Sequence, residues 1–211
     1  VNLYFTAGNQ VKMIDAATHK IKTFAGTGVS GIGRDGGPAI AATMNNPQGI
    51  CIDASNNIYV VDRGNDRIQV FDKNSPQLGK PCSNPDGEAG KCGFVGEQWI
   101  SRRTETLPVM PGTAVSMSFS PDTAQSCLYV GDNTNQTIYI LNRRDLTELG
   151  RLGKAGRMAG QFHWLHQVSP DSTGDLYTAD VDTGKRIQKF LHYGPAGCSG
   201  TGFATVGGAA D

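Results

Sequence analysis

Short runs rich in Tyr, Val, Ile and Leu recur along the chain, separated by Gly, Asn and Asp. Four of them share one arrangement: Asn2-Leu3-Tyr4-Phe5, Asn57-Ile58-Tyr59-Val60-Val61-Asp62, Cys127-Leu128-Tyr129-Val130-Gly131-Asp132 and Asp175-Leu176-Tyr177-Thr178-Ala179-Asp180. Runs of this length and β-branched content predict strands. A second such run follows each tyrosine: Val11-Lys12-Met13-Ile14, Ile68-Gln69-Val70-Phe71, Ile138-Tyr139-Ile140-Leu141 and Ile187-Gln188-Lys189-Phe190. The short polar connections predict tight antiparallel hairpins. In three units an earlier strand leads, beginning at Pro47, Ala114 and Leu165, and a last strand is expected near 21–24, 94–100, 147–152 and 202–206. Only 39–44 reads as helical.

Successive tyrosines of the series lie 55, 70 and 48 residues apart. Repeats of about 40–50 residues, each a four-stranded meander, predict the blades of a β-propeller. The expected fold is therefore all-β: one propeller domain over 1–211, with blades near 1–25, 46–102, 113–152 and 163–206 and inserts at 26–45 and 75–93. The first unit lacks a leading strand, so the chain is expected to be a fragment.

Composition narrows the function classes. Glycine is abundant, at 28 of 211 residues, and charged residues are only 18%, which suits a turn-rich β protein. Basic and acidic residues balance at 19 each, and no basic run stands out, so the footprint of a nucleic-acid or anionic-membrane binder is missing. No apolar stretch is long enough for a spanning helix, so no membrane insertion is expected. Cys82 and Cys92 share a polar loop, and a bridge between them would close a short ring worth about 2–3 kcal/mol. That pairing, and with it a secreted or periplasmic location, is the expectation.

The second unit carries Asp35-Gly36-Gly37-Pro38-Ala39, Asn46-Pro47-Gln48-Gly49-Ile50 and Tyr59-Val60-Val61-Asp62-Arg63-Gly64-Asn65-Asp66-Arg67-Ile68-Gln69-Val70-Phe71. It closely resembles the NHL repeat, and the fourth unit, Gly160-Gln161-Phe162 onward to Lys189-Phe190, is similar to it. The resemblance implies a six-bladed, TolB-like propeller, of which about four blades are countable here. The fourth unit is also similar to a blade of the peptidyl-α-hydroxyglycine amidating lyases, and that resemblance implies a zinc ligand at His166. Gly49 is read as standing at the equivalent place in the second unit, and Val181 stands where those lyases have an Arg. A lactonase-like propeller hydrolase with calcium is a further enzymatic alternative.

Among candidate residues, Asp62, Asp132 and Asp180 each follow a Tyr strand, where a carboxylate can accept amide hydrogen bonds from the hairpin that follows. The tyrosines are read as packing between blades. Gly26-Thr27-Gly28-Val29-Ser30-Gly31 fits G-x-G-x-x-G, but no helix follows it to hold a pyrophosphate. His163 and His166, three apart on a strand, would point to opposite faces and cannot share one ion. Trp164 is expected to pack with the inner strand. Trp and Arg are enriched at binding hot spots, so Arg63, Arg102, Arg103, Trp99 and Trp164, with His166, are the candidate ligand contacts. The resulting expectation is a binding or scaffold module, without a catalytic residue, that recognises a protein, peptide or small-molecule ligand through rim loops and channel. The blades missing from this chain would be further partners.

Overall fold

β-branched and aromatic residues fill the runs and short polar turns join them, so each run pairs with a neighbour in sequence. The computed structural model describes residues 1–33, 38–73, 94–100, 114–193 and 202–205. The chain divides into two compact units, Val1–Gly112 and Thr113–Asp211.

In the first unit, β1 (Leu3–Ala7), β2 (Gln10–Ile14) and β3 (Ile21–Ala25) form a three-stranded antiparallel meander. A second meander follows: β4 (Pro47–Ile52), β5 (Asn57–Asp62), β6 (Arg67–Asp72) and β7 (Phe94–Trp99). Tyr4, Val11, Phe24, Met44, Ile58 and Phe71 bury one continuous core between these sheets. Its aromatic rings meet edge to face, Tyr4–Phe24 at 5.2 Å and Phe24–Phe71 at 6.5 Å. Gly26, at φ +92°, passes close beneath β2; a Cβ there would lie 2.6 Å from the Asn9 carbonyl oxygen.

The helix expected over 39–44 is one 3₁₀ turn, Ala39–Ala41, and the backbone is already extended at Ala42. Thr43 bridges to Gly33 and Met44 to Ser30, so pairing with the glycine-rich segment takes the backbone groups that a longer helix would need.

The second unit holds β8 (Ala114–Phe119), β9 (Cys127–Asp132), β10 (Thr137–Asn142) and β11 (Glu148–Leu152), again a meander. A short parallel pair, β12 (Lys154–Ala155) and β13 (Gln161–Phe162), leads into β14 (Leu165–Pro170), β15 (Leu176–Asp180), β16 (Arg186–His192) and β17 (Phe203–Thr205). Tyr129, Ile138, Phe162, Leu165, Leu176 and Phe190 make its core. Hydrogen bonds join these two sheets: Ser118 Oγ donates to the Val168 carbonyl at 3.0 Å and Asn133 Nδ2 to the Leu165 carbonyl at 2.8 Å.

The leading strands share an irregularity. Pairing slips between Pro47 and Ile50 in β4, between Ala114 and Ser116 in β8, and between Leu165 and Gln167 in β14. A bulge there bends the strand and re-aims the extra residue.

Candidate functional site

Each aspartate that closes a Tyr strand is buried. Asp62 accepts the Asn45 amide at 2.6 Å, Asn65 Nδ2 at 2.8 Å and Arg67 Nε at 2.9 Å. Both side chains of the Asp62–Arg67 pair are 0% exposed, and Arg67 also reaches Glu97 at 2.7 Å and the Thr43 carbonyl at 3.0 Å. Burial pushes the Asp62 carboxyl up, against the hydrogen bonds from Asn45, Asn65 and Arg67. Asp180 repeats the arrangement with the His163 amide at 3.1 Å and Arg186 Nε at 2.9 Å. Asn45 and His163 each stand two residues before a leading strand, so the carboxylate ties that strand's entry to the hairpin beside it. Asp132 takes the Thr134 and Asn135 amides of its own hairpin at 2.9 and 2.8 Å, and burial likewise raises its carboxyl.

In the fourth sheet this clasp builds a rim. Arg186 donates to the carbonyls of Arg157 at 2.7 Å, Met158 at 3.2 Å and Gly156 at 3.4 Å, and also to that of Gln161. Gln188 fixes the same loop through the Gln161 carbonyl at 2.8 Å and the Gly160 amide at 3.1 Å. Above it, His163 Nε2 lies 3.0 Å from Arg157 Nη2 and 2.8 Å from Thr183 Oγ1. A guanidinium only donates, so Nε2 is the acceptor in that contact.

Trp164 is not packed within the strand as expected. It precedes β14 in a left-handed conformation, φ +64°, and is 41% exposed. The Val181 amide holds its carbonyl at 2.9 Å, and the indole meets the His163 ring edge to face at 6.4 Å. His163 also lies outside the strand, so alternation along β14 does not govern the direction of its side chain.

His166 occupies the bulge of β14 and is half-buried, and its ring makes no hydrogen bond among the described residues. Strand register corrects its counterpart: Val168 and Ile50 face Thr178 and Val60 at matching positions, which puts Gln48, not Gly49, at the place of His166. Val115 holds that place in β8. Glutamine and valine are not zinc-ligand types, so these blades do not supply the histidine set of a zinc centre. Among the described residues, no group of three or more His, Cys, Asp or Glu is placed to hold a metal ion.

Arg63 lies in a 3₁₀ turn, Arg63–Asn65, of the first unit, half-buried with its Nε lacking a hydrogen-bond partner. Arg102, Arg103, Cys82 and Cys92 lie outside the described residues, as does the Trp99 side chain. Cys51 is a free thiol that burial, with the Asp53 charge second, pushes well above its ordinary range.

These four-stranded meanders, each with a bulged leading strand, are the blades of a β-propeller. Residues 44–71, which contain the Asp62–Arg67 clasp, match the family model described as NHL repeat, so the second sheet carries an NHL repeat. It is 28% identical over 128 residues to the Homo sapiens NHL repeat-containing protein 2, a match covering 58% of this chain and 17% of that protein. Two solved structures, of candidate 6-phosphogluconolactonases from Bacteroides fragilis NCTC 9343 and Bacteroides uniformis ATCC 8492, superpose with TM-scores of 0.54 and 0.52 at 15% identity. These superpositions cover 98% and 97% of this chain and 53% and 55% of those structures, and show likeness of fold alone. The chain thus spans about half of those structures and a smaller part of the curated relative.

Proposed function

We propose that this chain is part of an NHL-repeat propeller that acts as a binding module, and that the clasped rim of its fourth sheet takes up a protein or peptide segment. The observation that carries this reading is the exposed indole of Trp164, whose backbone is pinned to Val181 beside the His163–Arg157–Thr183 contact. A rigid, half-exposed Trp next to Arg is the kind of anchor that concentrates binding energy. Val181 and Met158 add apolar surface nearby, at 38% and 71% exposure. The balanced net charge argues against a polyanionic partner.

The enzymatic alternatives have less support. For a zinc lyase, only His166 among the three equivalent positions is a suitable ligand. For a channel-carboxylate hydrolase, Asp53 is already engaged by the Asn57 amide at 2.8 Å and the Tyr59 hydroxyl at 3.3 Å.

Selection of displayed peptides on the chain tests the proposal. Enriched sequences should bind wild type and lose about tenfold or more in affinity on Trp164→Ala, the usual cost of a hot-spot aromatic. Equal binding to both proteins, or no enrichment, counts against this rim.

A further inference from the structure

The opposite end of the second unit holds a small cavity of about 100 Å³. It is lined by Ser120 and Asp122 from the β8–β9 loop, Tyr129 from β9, Ser172 and Thr173 from the β14–β15 loop, and His192 from the end of β16. Two neighbouring sheets therefore build one site.

Comparison with the second sheet explains why the cavity is there. In that sheet Asp53 directly follows the leading strand and accepts the Tyr59 hydroxyl at 3.3 Å. The pairings Ile52–Ile58 and Phe119–Leu128 place Ser120 where Asp53 stands, and Tyr129 where Tyr59 stands. Ser120 Oγ turns instead to Asp122 and accepts the Cys127 amide at 2.9 Å. Among the described residues no carboxylate reaches the Tyr129 hydroxyl by hydrogen bond, and that side chain, 3% exposed, borders the cavity.

Asp122 is the carboxylate of the cavity lining, which also holds the His192 side chain. Asp122 is held by Ser126 Oγ at 2.7 Å and by the Ser126 amide at 3.1 Å, and among the described residues no Lys, Arg or His pairs with it. Asp171 and Asp175 stand on the facing loop, outside the lining, and are paired with Lys189 at 4.0 and 2.8 Å. An anion would meet the Asp122 carboxylate, with which no cation pairs among the described residues, and an apolar group would leave the buried Tyr129 hydroxyl unmatched. A compact cation with several hydrogen-bond donors suits both features.

We infer that this cavity is a binding site for a primary ammonium group, which donates to the Asp122 carboxylate and the Tyr129 hydroxyl between the two loops. The group comes from a peptide amino terminus or from a lysine side chain. This site is separate from the Trp164 rim and does not depend on it.

Titrating the ¹⁵N-labelled chain with glycinamide, n-butylammonium and N-acetylglycinamide tests the assignment, with the Ser126 and Gly174 amides as reporters. Glycinamide represents an amino terminus, butylammonium a lysine, and the acetylated amide removes the charge. Saturable shifts at these amides with either amine, and none with the acetylated control, are expected. Asp122→Asn should weaken binding about tenfold or more, and Tyr129→Phe about threefold, in proportion to the charged and neutral hydrogen bonds removed. Tyr129→Phe keeps the ring and guards against a folding failure in Asp122→Asn. Response to one amine alone identifies the source of the group. Shifts that are equal with the acetylated control, unchanged in Tyr129→Phe, or absent with both amines overturn the site.

Discussion

The two ends of these sheets use aspartate in opposite ways. Where the Tyr strands finish, Asp62, Asp132 and Asp180 are buried, and Asp62 and Asp180 each tie down an amide 17 residues away. At the other end Asp145 and Asp171 close open turns through Thr147 and Thr173, two residues on. The chemistry follows the solvent. Burial raises the carboxyls of Asp62 and Asp132, whereas the Thr147 and Thr173 hydrogen bonds lower those of Asp145 and Asp171, and Lys189 lowers that of Asp175. At Asp122 desolvation works upward, but Ser120 and Ser126 together hold the carboxyl below its ordinary value. Asp62 and Asp180 thus stitch distant segments, whereas Asp132, Asp145 and Asp171 close local turns, and burial sets the direction in which the Asp62 and Asp132 carboxyls move.

The largest expected break is at the buried pair. Arg67→Ala leaves the buried Asp62 carboxyl without its cation, and removing one partner of such a pair costs about 3–5 kcal/mol. A fall of that size in urea-unfolding stability checks it. Arg186 is partly solvated, with 24% side-chain exposure against 1% for Asp180, so Arg186→Ala should cost less, about 1–3 kcal/mol. The 156–161 loop should loosen, which faster hydrogen exchange at the Gly160 amide would report.

Acid separates the two ends by sign. A carboxyl whose folded pKa lies below its unfolded value contributes stability above the unfolded pKa, and that stability is lost as pH falls through the folded pKa. Asp122, Asp145, Asp171 and Asp175 are of this kind, so they weaken the fold as pH drops below the ordinary 3.8. Asp132 is raised: its unfolded form loses its proton first, so its contribution falls as pH rises from 3.8 through its folded pKa. Urea midpoints from about pH 5 to about pH 2 should therefore decline more steeply in Asp132→Asn and more gently in Asp171→Asn. The smallest stability effects belong to the exposed Trp164 and the half-buried His166: Trp164→Ala and His166→Ala should each cost about 1 kcal/mol or less, with zinc content by mass spectrometry unchanged by the latter.

The strands were legible because short runs of Tyr, Val, Ile and Leu recur at repeat spacing between Gly, Asn and Asp turns. The His166 counterpart was misread as Gly49 because a bulge adds a residue to β4, and counting along the sequence cannot see it. Trp164 read as part of a strand for a related reason: its left-handed backbone breaks alternation just before β14 begins. Arg67 and Arg186 stand in the repeated segments, but the carbonyls that Arg186 gathers lie 25 to 30 residues earlier, and hydrophobic pattern carries no record of such bonds. The cavity at Tyr129 had one signal, the change from aspartate at 53 to serine at 120, which becomes visible only once register aligns the two sheets.

The claim that the clasped end of the fourth sheet is the recognition surface is tested most directly through Trp164 itself. The chain has two tryptophans, so in a Trp99→Phe background the indole emission reports Trp164 alone. Titration with a selected peptide should shift that emission to the blue and saturate with the binding isotherm, as the indole passes from water into an interface. A peptide that binds the same protein and leaves the emission unchanged would contradict the account.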